Sequence, residues 1–532
     1  KSFVGKPQGE FWPIHPDGNY DIKESASAAH LYGKPIASAE AFTDAKHYHT
    51  LPEFKSLADY AYAFGINEFV VCAVPFQPQT DAFPGSTGGG RHYSISRSNS
   101  WWSYSKPFWD YQARNAHILR LGMPVIDLCV YLGENAPVKI LTHRLPEIPG
   151  GYDFDACSSH ALMTRMTADP NGIKLPDGMR YRMLVLPRNG EITFEALQKI
   201  EILLRSGAQV YGSKPRVSQS LRDRVQAEAY QQLADALWGK RASDTGSNRV
   251  GKGFLQWGIT LEQALLNAGI KPDVRMQHSN TKKSRIYYTH RRLKDADVYF
   301  LDNHSDTDVT DVFTFPVKGA YAQLWNIVTG QRFSIPLTQR LDSDVSMPLM
   351  LHARESYFVV LTDDTESLPE VQWLTNKTEV RNLNADWHTN FSSKWGGPGE
   401  IVLDSLRDWT QHPMPSVAFY SGTAIYRKTF DWSADRDPVW LQLTLLNSVA
   451  RVFMNGRDAG VLWCAPWLLD VQPFLHAGKN ELEIHVANTW INRMIADAAL
   501  PASERITDAY PPIMQPNDAV QPSGLISARL IQ

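Results

Sequence analysis

The stretch Pro35-Ile36-Ala37-Ser38-Ala39-Glu40 decides the fold class of the first part of this chain. It is a short apolar run that ends in a carboxylate, and it follows a helix-like segment that stops at Gly33, a residue common just past helix ends. A second helix pattern runs from Leu51 to Phe64 and leads into an apolar strand pattern from Glu68 to Val74. This alternation predicts a parallel sheet covered by helices.

Residues 1–150 carry about four such strands, counting one that ends at Glu10 and one from Val125 to Tyr131. A closed (β/α)8 barrel needs eight strands. We therefore predict that residues 1–150 form the C-terminal half of a barrel. The other half would come from a missing N-terminal part of the same protein.

Three further units follow the predicted half-barrel. Residues 151–285 have the pattern of a Rossmann-like α/β accessory domain, and no GxGxxG phosphate loop follows its first strand. Residues 286–385 switch to the period of two that indicates a small β domain. Residues 386–532 consist of short alternating strands separated by turns such as Asn455-Gly456, which predicts a jelly-roll β-sandwich.

The composition narrows the function classes. Hydrophobic residues make up 43% and charged residues 20% of the 532 residues, as in ordinary globular proteins. A net charge of -3 gives no electrostatic support for a nucleic-acid partner. No apolar run is long enough to predict a membrane span, and no signal peptide is visible. The four cysteines show neither a zinc spacing nor a disulfide framework, and they are expected to be small buried hydrophobes.

Three carboxylates follow predicted strands, where barrel enzymes place catalytic groups. Glu40 is the best placed, although a helix-capping role is the alternative. Glu10 has too little sequence before it to establish a strand. Glu134 follows the strand that ends at Tyr131, and an ordinary loop role is the more frequent case for such a residue. Glycoside hydrolysis needs two carboxyl groups across the scissile bond, so Glu40 and Glu10 are the candidates for that chemistry. Glu134 is a candidate substrate-binding residue that would face the same site.

The long loop from Gly88 to Trp109 is rich in glycine, serine, histidine and aromatic residues, and loops of this kind often bind ligands. Its candidate substrate-binding residues, which offer hydrogen bonds and a stacking face, are His92, Asn99, Trp101 and Trp102. The alternative is a surface loop packed on itself. No peptidase, kinase or EF-hand motif occurs in the chain.

Several segments resemble glycoside hydrolase family 106, the α-L-rhamnosidases. The resemblance rests on matches across nearly the whole chain: Asp21–Lys34, Ala39–Thr43, Asn99–Trp102, Tyr131–Pro137, Leu175–Met179, Ile286–Asn303, Trp395–Pro398 and Tyr420–Phe430. It implies an inverting, calcium-assisted hydrolysis of α-L-rhamnosides. Glu40 would be the base that activates water. Glu10 would be a calcium ligand or a second active-site carboxylate.

The family resemblance also implies a larger, secreted or periplasmic enzyme whose N-terminal section supplies at least one active-site acid. The sequence departs from the family where relatives commonly carry two histidines before Gln77-Pro78, because Cys72 and Phe76 stand there instead. This departure motivates an alternative, a catalytically impaired sugar-binding paralogue. A further alternative treats the C-terminal sandwich as a carbohydrate-binding module that does more than brace the barrel.

Overall fold

The computed structural model describes residues 1, 3–12, 20–88, 95–134, 139–140, 145–215, 220–240, 244–318, 321–341, 343–374, 377–433 and 439–532. The α-helices in these ranges are Tyr20–Leu31, Leu51–Ala63, Lys106–Ile118, Ser159–Arg165, Phe194–Ser206, Leu221–Arg224, Ala227–Trp238, Leu261–Asn267, Pro415–Ala418 and Ile491–Ala498. Short 3-10 helices are Trp102–Tyr104, Ser393–Trp395, Trp409–Gln411, Gln472–Phe474 and Ala502–Glu504. None of the described helices is both long and apolar enough to cross a membrane.

The first sheet contains three parallel strands, Gln8–Glu10, Ser38–Ala41 and Glu68–Val71, with Ser38–Ala41 in the middle. One face carries Ala39 and Phe69, which pack against the hydrophobic core formed with the helices that follow these strands. Residues two positions apart on a strand share a face, so Glu10, Glu40 and Val70 lie on the opposite face, where Val70 is 41% exposed. The sheet is therefore packed on one side and open on the other.

The fourth strand predicted for this sheet belongs elsewhere. Leu128–Tyr131 pairs in parallel with Met183–Val185 on one side and Phe154–Cys157 on the other, within the α/β unit. Its four residues are all buried, so it is a central strand of that sheet. Met123–Pro124 pairs with Ile286–Arg292 of the β unit. In the described residues the first unit thus ends near residue 120, earlier than the predicted boundary at 150.

The α/β sheet has six strands in the spatial order Gly246–Val250, Gly253–Trp257, Gln209–Tyr211, Met183–Val185, Leu128–Tyr131 and Phe154–Cys157, all parallel except the first. The helix Phe194–Ser206 begins at Thr193, whose side chain accepts a hydrogen bond from the amide of Ala196, and ends at Gly207, where φ is 126°. A small antiparallel sheet lies beside this unit: Thr167–Asp169, Gly172–Lys174 and Arg180–Tyr181.

The next unit consists of two antiparallel sheets that share one hydrophobic core. The first sheet contains Arg275–Met276, Val309–Phe315, Val345–Leu351 and Gln339–Arg340. The second contains Arg332–Ile335, Tyr321–Trp325, Ser356–Thr362, Ala296–Asn303, Ile286–Arg292 and Met123–Pro124.

The last unit also consists of two sheets around one core. One contains Glu379–Asn382, Gly524–Ile531, Trp440–Leu446 and Leu468–Asp470, and the other contains Gly399–Ser405, Ala385–Phe391, Thr423–Trp432, Gly478–Ala487, Val449–Met454 and Arg457–Leu462. The predicted hairpin at Asn455-Gly456 is confirmed, since both residues have positive φ, 55° and 72°, as a tight hairpin turn requires.

The last unit packs directly on the first. Asp508–Tyr510 pairs in parallel with Pro84–Ser86, and the indole N–H of Trp490 donates to the carbonyl of Ser98 over 2.7 Å. Trp463 is buried in the core of the first unit. The loops that follow the first sheet are therefore held in place by the C-terminal unit.

Candidate functional site

Glu10 and Glu40 form a pair of carboxylates at the carboxyl ends of two neighbouring parallel strands. The strands are in register, with Glu10 directly beside Glu40. Registered residues of neighbouring strands lie on the same face of a sheet, about 4.8 Å apart along the hydrogen-bond direction. Both side chains are half-buried on the open face. The structure therefore brings together the two acids that ranked highest from the sequence.

The turn after Glu40 fixes the position of its carboxylate. The hydroxyl of Thr43 donates to Glu40 Oε1 over 2.8 Å. Phe42 is fully buried with positive φ, 63°, and its ring packs against those of Phe11 and Phe54. The apolar cluster behind the sheet anchors the backbone on both sides of the carboxylate, so the acid is held on a rigid support.

Cys72 follows the third strand and makes the next contact with Glu40. Burial, a hydrogen bond to Glu40 and the negative charges of Glu40 and Glu10 raise the pKa of the Cys72 thiol to about 11. The thiol is therefore protonated near neutral pH and donates to the carboxylate. Cys72 is only half-buried, unlike the other three cysteines, so the expectation of four buried hydrophobes is wrong at this position. Phe76, the second departure from the family pattern, is 88% exposed.

Glu10 is held by its backbone more than by its side chain. Its amide donates to Asp21 Oδ2 over 3.0 Å, and Asp21 is the second residue of the helix Tyr20–Leu31. The amide of Phe11 donates to the carbonyl of Glu40. The helix and the middle strand thus fix the end of the first strand, which was too short to establish from the sequence.

The described residues do not make a complete calcium site. Calcium takes six to eight oxygen ligands, and this face offers the carboxylates of Glu10 and Glu40 beside a protonated thiol. Within the part of the chain that the structure describes, no group of three or more histidine, cysteine, aspartate and glutamate side chains could hold a metal ion. A calcium ion here would need most of its ligands from elsewhere.

The four candidates in the long loop have different outcomes. His92 lies outside the described residues. Trp101 is 1% exposed in the core of the first unit, so the prediction of a stacking face is wrong for this residue. Asn99 is also buried. Trp102 is half-buried against the same core, where its ring lies 6.2 Å from that of Trp109.

Glu134 lies on a different sheet from the other two acids. It follows the α/β strand Leu128–Tyr131, where the Tyr131 hydroxyl and the Thr193 hydroxyl both donate to its carboxylate. The prediction that it faces the same site as Glu40 is wrong, because its strand pairs within the α/β sheet.

Sequence reasoning missed the role of Thr43 and underrated Cys72. The signal for Thr43 was present, since a hydroxyl three residues after a strand-end carboxylate is within reach of it in a tight turn. The signal for Cys72 was weaker, because only strand pairing brings the residue after the third strand beside the second.

Comparisons with known proteins show what this chain is similar to. Residues 1–339 match the α-L-rhamnosidase family, glycoside hydrolase family 106, and residues 415–515 match a galactose-binding domain-like family of glycoside hydrolase family 2. A rhamnosidase structure from Novosphingobium sp. PP1Y is 28% identical with a TM-score of 0.88 over 100% of this chain and 51% of its own. A protein of Formosa agariphila provisionally named β-glucuronidase is 31% identical over 409 residues, 75% of this chain and 33% of its own length. The chain thus spans about half and a third of these two relatives.

Proposed function

This chain belongs to the α-L-rhamnosidase family of glycoside hydrolases, and we propose that it contributes part of the active site of an enzyme that removes terminal α-L-rhamnose from a polysaccharide or glycoside. The observation that carries the proposal is the registered pair Glu10 and Glu40 at the carboxyl ends of parallel strands. Membership of the family supports rhamnose as the sugar that is released, and the two carboxylates are the groups that would take part in its hydrolysis.

In this proposal Glu40 is the general base that activates water. A base must hold a fixed position next to the nucleophile, and the hydrogen bonds from Thr43 and Cys72 orient the Glu40 carboxylate. Each of these donors uses lone pairs of the carboxylate, and a carboxylate has about four lone-pair sites, so room remains for water.

Glu10 is less suited to be the acid that complements Glu40 in an inverting reaction. Inverting enzymes separate the two carboxyl groups by roughly 6.5 to 9.5 Å to admit water. Registered residues of neighbouring strands are about 4.8 Å apart at the backbone, so the two side chains would have to diverge to reach that separation. We therefore assign Glu10 to binding, as a carboxylate that holds the substrate or a cation. The general acid would come from a part of the protein outside this chain, and that part would complete a (β/α)8 barrel around the first sheet.

The proposal includes calcium assistance, and Glu10 is the residue of this chain that would bind the ion. A bound calcium ion would orient and polarise sugar hydroxyls. Its remaining oxygen ligands would have to come from the substrate, water or other residues of the complete protein. No step of the hydrolysis described above depends on the ion. A chelator that leaves the rate unchanged would remove calcium from the proposal while leaving the role of Glu40 intact.

The family resemblance implies a secreted or periplasmic enzyme, and we include that location in the proposal. The jelly-roll arrangement of the last two sheets, with a bracing role for that unit, is likewise proposed. Contacts such as that between Trp490 and Ser98 support the bracing role.

The test compares Glu40→Gln with Glu134→Gln in the full-length protein, using an aryl α-L-rhamnoside. Loss of a general base lowers rates by about 10²- to 10⁴-fold, so we expect Glu40→Gln to lose kcat on that scale. Glu134→Gln should keep wild-type turnover because Glu134 lies on another sheet. Equal turnover in wild type and Glu40→Gln would contradict the assignment of the base.

A second candidate is a sugar-binding paralogue without turnover, favoured by Cys72 and Phe76 in place of the family's two histidines. An apolar ring and a thiol offer fewer hydrogen bonds to a sugar than two imidazoles do. Stabilisation of the wild-type protein by L-rhamnose against thermal unfolding, with no release of aglycone, would favour this candidate.

A further inference from the structure

The structure contains a cavity of about 870 Å³ where the first unit, the small β unit and the C-terminal unit meet. The helix Leu51–Ala63 forms one wall with Glu53, Ser56, Leu57 and Tyr60. These residues form a stripe on the side of the helix opposite Phe54 and Ala58, which pack in the core behind the first sheet. The cavity therefore lies across this helix from the core that backs the first sheet.

The walls of this cavity concentrate strained backbone. In the described part of the chain, eight non-glycine residues have positive φ. Four of them line the cavity: Arg285, Arg354, Asn447 and Trp467, with φ between 41° and 60°. Side chains with a β-carbon rarely adopt this conformation, and such residues cluster at ligand sites. Two more of the eight, Phe42 and Asp44, lie in the turn after Glu40. Six of the eight residues with positive φ therefore lie either at this cavity or in the turn after the proposed base.

The side chains at these positions are suited to a sugar. Trp467 and Tyr287 line the cavity and are only half-buried, so part of each side chain is accessible, although the Tyr287 ring also contacts those of Tyr60, Phe64 and His304. Among the described residues, the Trp467 indole N–H and the Tyr287 hydroxyl have no hydrogen-bond partner. Pockets that bind small molecules combine apolar rings with a few fixed polar groups, within volumes of roughly 300 to 1,000 Å³.

Among the described charged residues of the cavity wall, Arg285 is the cation that can meet an anionic ligand. Lys55 is paired with Asp59, and Arg354 is paired with Asp306. The carboxylate of Glu53 accepts hydrogen bonds from the amide and hydroxyl of Thr50. Arg285 is exposed, and within the described residues its guanidinium has no partner. A guanidinium fork matches the paired oxygens of a carboxylate or sulfate.

We propose that this cavity is a second, non-catalytic carbohydrate site that holds an acidic sugar residue of an oligosaccharide, with Trp467 and Tyr287 as stacking faces and Arg285 on the oxyanion. The inference rests on the proposed action of the protein on carbohydrates. It requires no turnover, however, so binding at this site can be measured separately from hydrolysis.

The experiment titrates the full-length protein with tetragalacturonate by calorimetry. Cellotetraose serves as a neutral chain of the same length, and a sulfated carrageenan tetrasaccharide as a second oxyanion. We expect tetragalacturonate to bind at least tenfold more tightly than cellotetraose. Tight binding of the sulfated chain as well would extend the site to both oxyanions, whereas equal binding of cellotetraose would overturn the role of Arg285.

Variants locate the binding. Arg285→Ala should weaken binding of tetragalacturonate at least fivefold and Trp467→Ala should abolish it. Arg340→Ala removes another exposed arginine of the same β unit, one that has no partner among the described residues, and should have no effect. Arg285→Glu serves as the charge reversal if Trp467→Ala does not fold. Unchanged binding in both cavity variants, or no binding by the wild type, would overturn the site.

All cavity variants should keep turnover of a small aryl rhamnoside, and Glu40→Gln should keep binding of tetragalacturonate. These two results distinguish a failure of the proposed binding site from a failure of the proposed hydrolysis.

Discussion

Cys72 stands where the family resemblance implies a histidine, and its thiol contacts Glu40, the proposed base. A histidine in this place would offer an N–H, and the protonated thiol also donates to Glu40. A thiol is a weak donor, but near neutral pH it adds no second negative charge beside the carboxylates, since its pKa is raised to about 11. The substitution therefore keeps the polarity of the contact while weakening it.

Replacing Cys72 tests this hydrogen bond. We expect Cys72→Ala to lower kcat of the full-length protein on an aryl α-L-rhamnoside by about tenfold, because a hydrogen bond to a charged group contributes about 1.5 kcal/mol or more. Cys72→Ser keeps a donor of similar size and should retain most of the rate. If alanine and serine have the same effect, the contact contributes packing and no orientation.

At the scale of single residues, the sequence predicted Glu40 near the end of a strand because an acid that follows an apolar run is a local signal, and the structure has it there. Glu10 had no such signal, and only its pairing with the strand of Glu40 establishes its position. Sequence reasoning failed for Trp101 because the two adjacent tryptophans look alike in sequence. Only tertiary packing decides that Trp101 enters the core while Trp102 stays half-buried.

The helix Leu51–Ala63 carries a buried ion pair that its sequence does not predict. Its Lys55 and Asp59 are four residues apart, a spacing usual for exposed surface pairs, yet their side chains are only 2% and 1% exposed. The β unit covers this side of the helix, where Lys55 also donates to Ser356 and the Tyr111 hydroxyl donates to Asp59. Sequence periodicity predicted the helix and its apolar face, but it could not predict that a second domain buries the polar face.

Breaking this buried pair should be costly. Asp59→Asn leaves Lys55 buried without a counter-ion, and such a change lowers the free energy of unfolding by about 3 to 5 kcal/mol. The matched control is Asp110→Asn, which breaks the exposed pair of Lys106 and Asp110 at the same spacing and should cost less than about 0.5 kcal/mol. Urea denaturation measures both. Similar losses in the two variants would contradict the importance of burial.

At the scale of the whole molecule, the first unit and the α/β unit are joined by buried polar contacts. The helix Tyr20–Leu31 lies against the strand Phe154–Cys157, where Lys23 pairs with Asp153 over 2.8 Å and His30 contacts Asp155 over 3.0 Å. The Tyr181 hydroxyl also donates to Asp155. The sequence predicted two α/β units in succession, but it did not predict that one helix serves both, because the contacts join residues more than a hundred positions apart.

The stability that Asp155 contributes to the interface between the two units depends on pH. Burial acts to raise its pKa, but His30, Lys23 and Tyr181 outweigh burial and hold the pKa at about 2, below the value of about 3.9 for an unfolded aspartate. A depressed carboxylate pKa contributes stability that is present above about pH 4 and is lost as the pH falls to 2. We therefore expect Asp155→Asn to lower the melting temperature at pH 5 to 7, with the gap to wild type closing between pH 4 and pH 2.

The control for this prediction is Asp169, whose pKa is also lowered to about 2, here by hydrogen bonds from Arg180 and Asn171 on the surface. Solvent and salt screen such an exposed pair, so Asp169→Asn should leave the melting temperature nearly unchanged at every pH. Melting curves of both variants and wild type at half-unit steps from pH 7 to pH 2, at low and at high salt, measure the difference. If the Asp155→Asn gap stayed constant with pH, its effect would come from lost packing, and the ionised carboxylate would not be what joins the two units.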